Sequence, residues 1–490
     1  MNILVVVNNP IDWPLKIQGV NVVSAWVYLT DPQYMEMNST RVFNLCRSYR
    51  YQSVGYYVSL LAAARGHKPI PSVTTIQDVK SLTIIRAVSD DLDETMQESL
   101  ATIQSNAFTL SIYFGHNMAK RYERLSLELF NLFQAPFLRA HFVREEDRWQ
   151  LQSIRPIAAS EIPESHIKFV VDVATGFFSG RRARIARKAP PRYTMAILCN
   201  QEEGNKPSND GALERFEKAA EKLGIEVEMI DRDDFARLAE FDALFIRETT
   251  SVMHHTYRFA RRAEAEGLVV IDDSKSILRC TNKVYLAELL DRYDIRTPKT
   301  IIVHKDNVDR IIPELGLPCV LKQPDSSFSQ GVVKVENETQ LQQEVSRLLD
   351  KSDLMIAQEF ISTPFDWRIG VLDKRPLYAC KYYMARRHWQ IIQRTGEGES
   401  NFGRVETLPV ELAPRQVVRT AVKAANLIGD GLYGVDLKQV ERQCYVIEVN
   451  DNPSIDAGFE DDVLKDELYF RIMEVFLRRI EQTKFAWARS

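Results

Sequence analysis

The sequence predicts a mixed α/β and α+β protein built from several domains. Three observations carry this prediction. Apolar runs alternate with helically periodic segments over roughly 1–150, and again from 194 to about 280. A basic stretch ending in Pro190–Pro191 separates those two regions. From about 299 the pattern changes to short strands in close succession, with few helices between them. With 490 residues the chain is long enough for two to four domains.

The elements follow in order. "NILVVV" (2–7) is a continuous apolar run ending at "NNP", as a buried parallel strand would. "SVGYYVSLLAAARGH" (53–67) has helical periodicity and stops at Gly66. "LTIIRAV" (82–88) and "TLSIYFG" (109–115) read as strands, and "RYERLSLELFNLFQ" as a helix. This first α/β domain, 1–178, lacks GxGxxG, so no dinucleotide site is assigned to it. Residues 179–193 form the basic linker, in which Arg181, Arg182 and Arg184 are solvated or meet an acidic acceptor. A second α/β unit, 194–280, contains the strands "YTMAILCN", "IEVEMID", "FDALFIRET" and "LVVIDD" and the helix "ALERFEKAAEKLG". The helix "TNKVYLAELLDRYDI" follows, with Thr281 expected at its N-cap. The remainder, 281–490, is α+β. Its strands are "KTIIVH", "PCVLKQP", "GVVKV", "LMIAQEF", "DWRIGVL" and "PLYACKYY"; its helices are "ETQLQQEVSRLLD", "RQVVRTAVKAANLIG" and "DELYFRIMEVFLRRIEQ".

Composition excludes several function classes. A net charge of −4 gives no global field favouring nucleic acid or an anionic membrane. No apolar run approaches the roughly 18–20 residues that span a bilayer. The N-terminal run lacks a basic flank and is too short for a signal peptide. The six cysteines are scattered with no CxxC, which argues against a disulfide framework or zinc site and favours a reducing cytosol.

The chemistry gathers in the last third. "GVDLKQV" and "CYVIEVN" flank the polar turn Glu441–Arg442–Gln443. A hairpin centred on Arg442 places Asp436 opposite Glu448, and Glu448 and Asn450, two apart, share a face. Two carboxylates facing each other across a ladder are unfavourable unless a cation lies between them. Oxygen-only ligands suit Mg²⁺ or Mn²⁺. The competing reading is a solvent-facing strand with polar residues alternating outward. Against it, Val446, Ile447 and Val449 are apolar, and the face is expected to have no lysine partner.

Upstream, Lys322 ends the run "PCVL" before the loop "QPDSSFSQGV". A strand-terminal lysine ahead of such a loop can reach phosphates while loop N–H groups cradle them. Ser327, Ser329 and Gly331 are the loop candidates. Lys283 lies just inside a helix and is by itself more often a surface lysine. Gln358, Glu359 and Phe360 end a strand whose backbone can meet an adenine edge, with Glu359 accepting from a ribose.

The linear order of Lys283, Lys322 with its loop, "QEF", "DWRIGV", Asp436 and "EVNDNPS" resembles the ATP-grasp superfamily over about 194–480. Within it, "LFIRETTSVMHHTYRFARRAEAEGLVVIDDSKSILRCTNK", "QEFISTPFDWRIGVLDKRPLYACKYYMARR", "GESNFGRVE" and "EVNDNPSID" resemble the RimK-type carboxylate–amine ligases. The region ahead of them resembles the extra N-terminal domain of some RimK-like proteins. The resemblance implies an ATP-grasp fold, with a pre-ATP-grasp α/β domain (194–280), a nucleotide lobe (281–360) and a metal and substrate lobe (361–490). It implies that Lys283 and Lys322 contact phosphates and that Gln358, Glu359 and Phe360 line the base and ribose pocket, with Asp366 near the ribose. Asp436, Glu448 and Asn450 would hold two Mg²⁺ or Mn²⁺ ions. Arginines are expected on the carboxylate substrate, because a guanidinium binds a carboxylate through two parallel bonds. Arg368, Arg386, Arg387 and Arg404 are the candidates, with Asn401 matching the family's Ser–Asn step.

There are departures. Glu399 stands where the family has an arginine, and Val405–Glu406 where it has a glycine pair. The nucleotide loop is richer in serine than in glycine, and "DNPSIDAGFEDD" is unusually acidic. Apart from the nucleotide loop, these changes fall on the substrate end.

The activity implied is ADP-forming ligation of glutamate or a similar amino acid to an amino acid, peptide or protein acceptor. A glutathione-synthetase-like or dipeptide ligase is the second reading, and a non-catalytic ATP-binding regulatory module the third. A cytoplasmic protein, tending to a homo-oligomer and with neither nucleic acid nor membrane as partner, completes the expectation.

Overall fold

The computed structural model describes residues 2–13, 15, 17, 20–37, 40–145, 148–179, 191–204, 206–325, 331–385, 392–394 and 400–487. The chain divides into two compact units, Met1–Tyr193 with Phe235–Glu240, and Thr194–Asp234 with Phe241–Ser490.

In the first unit, the strand Asn2–Val7 pairs in parallel with Asn21–Ser24 on one side and Thr40–Asn44 on the other, and Lys68–Ile70 extends the sheet. Leu4 to Val7 are almost wholly buried, which is why this strand reads as an unbroken apolar run. The helix Val54–Ala64 forms as its periodicity predicts, with Ser53 accepting from the Tyr56 N–H as N-cap.

"LTIIRAV" is the first correction. It lies in a helix, Leu82–Asp91, not in a strand. Ile85, Val88 and Leu92 recur at helical spacing and are buried in one cluster with Leu151 and Ile154 of the strand Arg148–Pro156. The β-branched residues suggest a strand, but the apolar face matches a helix lying on that strand's sheet. The strand containing "TLSIYFG" is present as Ala107–Tyr113. It belongs to an antiparallel sheet with Phe137–Glu145 and Arg148–Pro156, where simple alternation suggested only α/β units.

The second unit opens with a four-stranded sheet built from Val269–Ile271, Ala243–Ile246, Tyr193–Leu198 and Ile225–Ile230 in spatial order. A second sheet, in the order Thr300–Val303, Met355–Glu359, Cys319–Lys322, Val332–Val335, is antiparallel throughout. A third, five-stranded and antiparallel, runs Val405–Leu408, Arg375–Tyr383, Phe365–Leu372, Leu432–Val440, Gln443–Asn450. The helix Arg415–Ile428 packs Val417, Ala421, Ala424 and Ile428 onto one face of this last sheet, against Ile369, Val435, Leu437 and Val449. The opposite face is left for polar residues.

Thr281 is the second correction. It ends the helix Ser274–Thr281 and donates to the Ile277 carbonyl at 2.8 Å. The cap of the next helix, Lys283–Arg292, is Asn282, whose side chain accepts from the Tyr285 N–H at 3.0 Å.

Candidate active site

The free face of the five-stranded sheet carries side chains in rows. Arg368 pairs with Asp436 and Asp436 with Glu448, so three charges line up across three strands. The next row is Gly370, Gly434 and Asn450. A Cβ on Gly434 would lie 2.7 Å from Pro453 Cβ, so only glycine lets that proline come down beside the strand.

The register Asp436–Glu448 is reached by a route the sequence hides. The turn closes on the pair Val440–Gln443, one residue tighter than a hairpin centred on Arg442. An irregularity that skips Ile447 then restores the predicted facing pair. The expectation of no lysine partner is corrected by Lys283. Arg368 grips Asp436 through two hydrogen bonds of 2.7 and 2.8 Å, and Lys283 Nζ lies 3.3 Å from Glu448 Oε1. The two facing carboxylates each have their own cation.

A cavity of about 620 Å³ lies over this face. Of the residues predicted from sequence, Lys283, Lys322, Gln358, Glu359, Phe360, Asp366, Arg368, Asp436, Glu448 and Asn450 all line it. Lys283 is buried at the first position of its helix, which overturns the surface-lysine alternative. The bond from its main-chain N–H to the Pro324 carbonyl (2.9 Å) ties it to the segment after Lys322. Lys322 ends its strand in register with Val332 and Ile356. Burial pulls its pKa down to about 8, and Lys283 and Lys438 pull the same way against Glu448. Burial alone would raise Glu448, but Lys283 and Lys322 more than offset it and hold the carboxyl below its ordinary value. Gln358 donates to Thr300 Oγ1 at 2.9 Å, and the Glu359 N–H to the Lys299 carbonyl at 2.8 Å. Lys334 Nζ lies 4.5 Å from the centre of the Phe360 ring.

Gly331 has φ of +71°, a conformation that favours glycine, and its carbonyl accepts from the Gln323 N–H at 2.9 Å. It is not among the lining residues, although Val332 beside it is. Arg404 is likewise not brought into the cavity. It is exposed, with its guanidinium 5.8 Å from the Tyr383 ring centre. Ser327, Ser329, Arg386 and Arg387 lie outside the described residues, as does the side chain of Asn401.

Several residues that line the cavity or hold its lining in place escaped the sequence reading. Lys438 forms an ion pair with Asp366 at 2.6 Å, one step along the same face from Asp436. The period-two spacing from Asp436 was the available signal. Asp451, buried next to Asn450, is pushed up to about 7 by burial. Arg247 is buried and binds Asn452 Oδ1 (2.6 Å) and the carbonyls of Pro207 (2.6 Å) and Pro453 (2.8 Å). It fixes the loop after Asn450, and only its place at the end of the apolar run "ALFI" hinted at this.

The donor set fits a hard divalent cation. Asp436, Glu448 and Asn450 present two carboxylates and a carboxamide on one face of the sheet, and Asn450 Nδ2 lies 3.3 Å from Asp436 Oδ2.

Comparison with known proteins agrees. The model of the RimK-like ATP-grasp domain matches residues 280–468, and that of the RimK-like ATP-grasp N-terminal domain matches 25–173. A probable alpha-L-glutamate ligase of Thioalkalivibrio sulfidiphilus is 30% identical over 225 residues, covering 45% of this chain and 71% of that protein. The chain belongs to the RimK-like ATP-grasp family.

A probable alpha-L-glutamate ligase of Vibrio vulnificus is 27% identical over 271 residues, 51% of this chain and 87% of its own length. Among solved structures, D-alanine–D-alanine ligase from Bacillus anthracis aligns with a TM-score of 0.46 at 16% identity, over 59% of this chain and 99% of that one. This RimK-like protein is an ATP-dependent ligase with the ATP-grasp fold. Among the described residues, no helix is long and apolar enough to cross a membrane.

Proposed function

We propose that this ligase joins the carboxyl group of one substrate to the amine of another through an acyl phosphate, with ADP as product. Glutamate or a similar amino acid is the added unit, and an amino acid, peptide or protein the acceptor. The observation that carries the proposal is the meeting of Asp436, Glu448 and Asn450 with Lys283 and Lys322 around one cavity. In this reading 194–280 is the pre-ATP-grasp domain, 281–360 the nucleotide lobe and 361–490 the metal and substrate lobe. Gln358, Glu359 and Phe360 border the base and ribose. Lys283 and Lys322 bind phosphate oxygens, and charge at the reacting phosphoryl group is spread over them. Asp436, Glu448 and Asn450 hold Mg²⁺ or Mn²⁺, two ions in our reading, which offset charge on the transferred group. Arg368 holds the Asp436 carboxylate in place through two hydrogen bonds, a positioning role beside the one expected of it toward substrate. Arg386, Arg387 and Asn401 remain assigned to the carboxylate substrate.

The relatives named as glutamate ligases support glutamate over a dipeptide-ligase reading. Mass spectrometry of products formed from amino-acid mixtures, ATP and Mg²⁺ tests the reading. A product heavier by one glutamyl unit is expected. ATP turnover that no acid–amine pair stimulates would sink it.

A further inference from the structure

Outside the cavity, Glu248, His254 and His255 offer one carboxylate oxygen and two imidazole nitrogens that all lie within 4.8 Å of one another. We infer that these three side chains form a second metal site, for Zn²⁺ or a chemically similar divalent transition ion.

Glu248 follows the buried strand Ala243–Ile246 and is itself buried. Its carbonyl accepts a hydrogen bond from Asn452 Nδ2, and Arg247 beside it is locked into four polar contacts, so the carboxylate leaves a rigid stretch of chain. His254 is the N-cap residue of the helix His255–Ala265, in extended conformation, and its side chain makes no cap bond. Its Nδ1 meets Thr256 Oγ1 at 3.2 Å, a contact of the kind that orients ligating imidazoles. The two rings stand 3.9 Å apart.

A carboxylate–histidine pair would account for His255 Nε2 at 2.5 Å from Glu248 Oε2, but it needs no second imidazole. Two imidazoles this close repel each other once both are protonated, whereas a shared metal binds both in the neutral form. Two nitrogens and one oxygen are the donor set of three-ligand zinc sites that keep further positions open. The same set is a poor one for Mg²⁺, which prefers oxygen throughout. Binding requires the Glu248–His255 contact to open to the roughly 3.3 Å that separates tetrahedral ligands about 2.0 Å from the ion. The site does not depend on the ligase reading.

The test is a titration of the full chain with Co²⁺ and then Zn²⁺, in millimolar Mg²⁺ so that the oxygen-only patch is already held. We expect one Co²⁺ per chain with a visible d–d absorption band, displaced by Zn²⁺. His254→Ala should weaken Zn²⁺ binding at least about tenfold. His254 is exposed, so this variant should fold, and far-UV circular dichroism checks it. His255→Ala and Glu248→Gln should each lower affinity as well. Absence of a stoichiometric ion in the unaltered chain, or unchanged affinity in His254→Ala, would overturn the site.

Discussion

Two sets of acids in this protein look alike in sequence and do different work. Asp436 and Glu448 sit on adjacent strands, and their partners are cationic side chains, Arg368 and Lys283. Asp456, Glu460 and Asp461 sit in the loop after Pro453, and their nearest partners are main-chain N–H groups and tyrosine hydroxyls. Asp456 accepts from the Asn209 N–H at 2.6 Å, and Glu460 from the Asp456 N–H at 2.7 Å and from Tyr382. Asp461 accepts from the Gly458 N–H at 2.7 Å and from Tyr469 at 3.0 Å. Burial raises Asp456 and Glu460 because their hydrogen-bond donors, helped at Asp456 by Arg247 and Lys206, offset only part of the desolvation, whereas the lysines pull Glu448 below its ordinary value. The unusual acidity of "DNPSIDAGFEDD" is thus largely internal wiring. An acid's chemistry follows from its partners, and only the fold supplies those.

The sharpest way to break this comparison is to replace each carboxylate by its amide. Glu448→Gln removes the charge of a proposed metal ligand, worth several kcal/mol at the transition state, so kcat should fall about 10³-fold with the fold intact. Glu460→Gln keeps an oxygen acceptor for the Asp456 N–H and turns its amide N–H toward Tyr382, whose hydroxyl accepts instead, so kcat should stay close to the parent value. Steady-state kinetics on the two variants decides, and equal losses would erase the distinction. Complete removal at the loop should act on stability instead. Glu460→Ala strands two buried donors and should cost about 2–3 kcal/mol in urea unfolding. An unchanged midpoint would mean that the loop does not rely on this acid.

The boundary between the two sets can be probed at Gly434. A methyl group there meets Pro453, so Gly434→Ala should cost about 1–3 kcal/mol and shift the loop beside Asn450. A Mg²⁺ titration of activity should show a raised half-saturation point, and an unaltered one would detach the loop from the proposed metal ligands.

The smallest effect concerns pH on the cavity side. Lys322, at about 8, is charged below that pH and neutral above it, while bound phosphate favours the charged form. KM for ATP should therefore be flat below about pH 8 and rise up to tenfold per pH unit above it. Lys322→Arg should flatten the rise, because arginine keeps its charge. A profile flat to pH 10 in the parent protein would mean that Lys322 is not the phosphate contact.

Much of this was legible in the chain. Periodicity, the Gly66 stop and the short strands after 299 lie where their patterns predict, because each pattern reflects a face that must be buried. "LTIIRAV" misled because β-branched residues suit a strand, while the sheet beneath them needed the helical spacing of Ile85, Val88 and Leu92. Arg404 lies exposed between the lining residues Gly403 and Val405, because an arginine's charge says nothing of where its loop points. Order along the chain carried the family, since Lys283, Lys322, "QEF", Asp436 and "EVN" keep their sequence whatever lies between.

The sequence by itself determined most of the elements, the family and the oxygen-donor strand, because alternation along a strand and periodicity along a helix are local properties. The tertiary structure decided which cation meets which acid. It brought Arg368 to Asp436 from a neighbouring strand, Lys283 to Glu448 from a helix, and Arg247 to Asn452 from another sheet. It also restored the Asp436–Glu448 register through the irregularity at Ile447. These pairings depend on distances between segments far apart in the chain, and no local pattern encodes them.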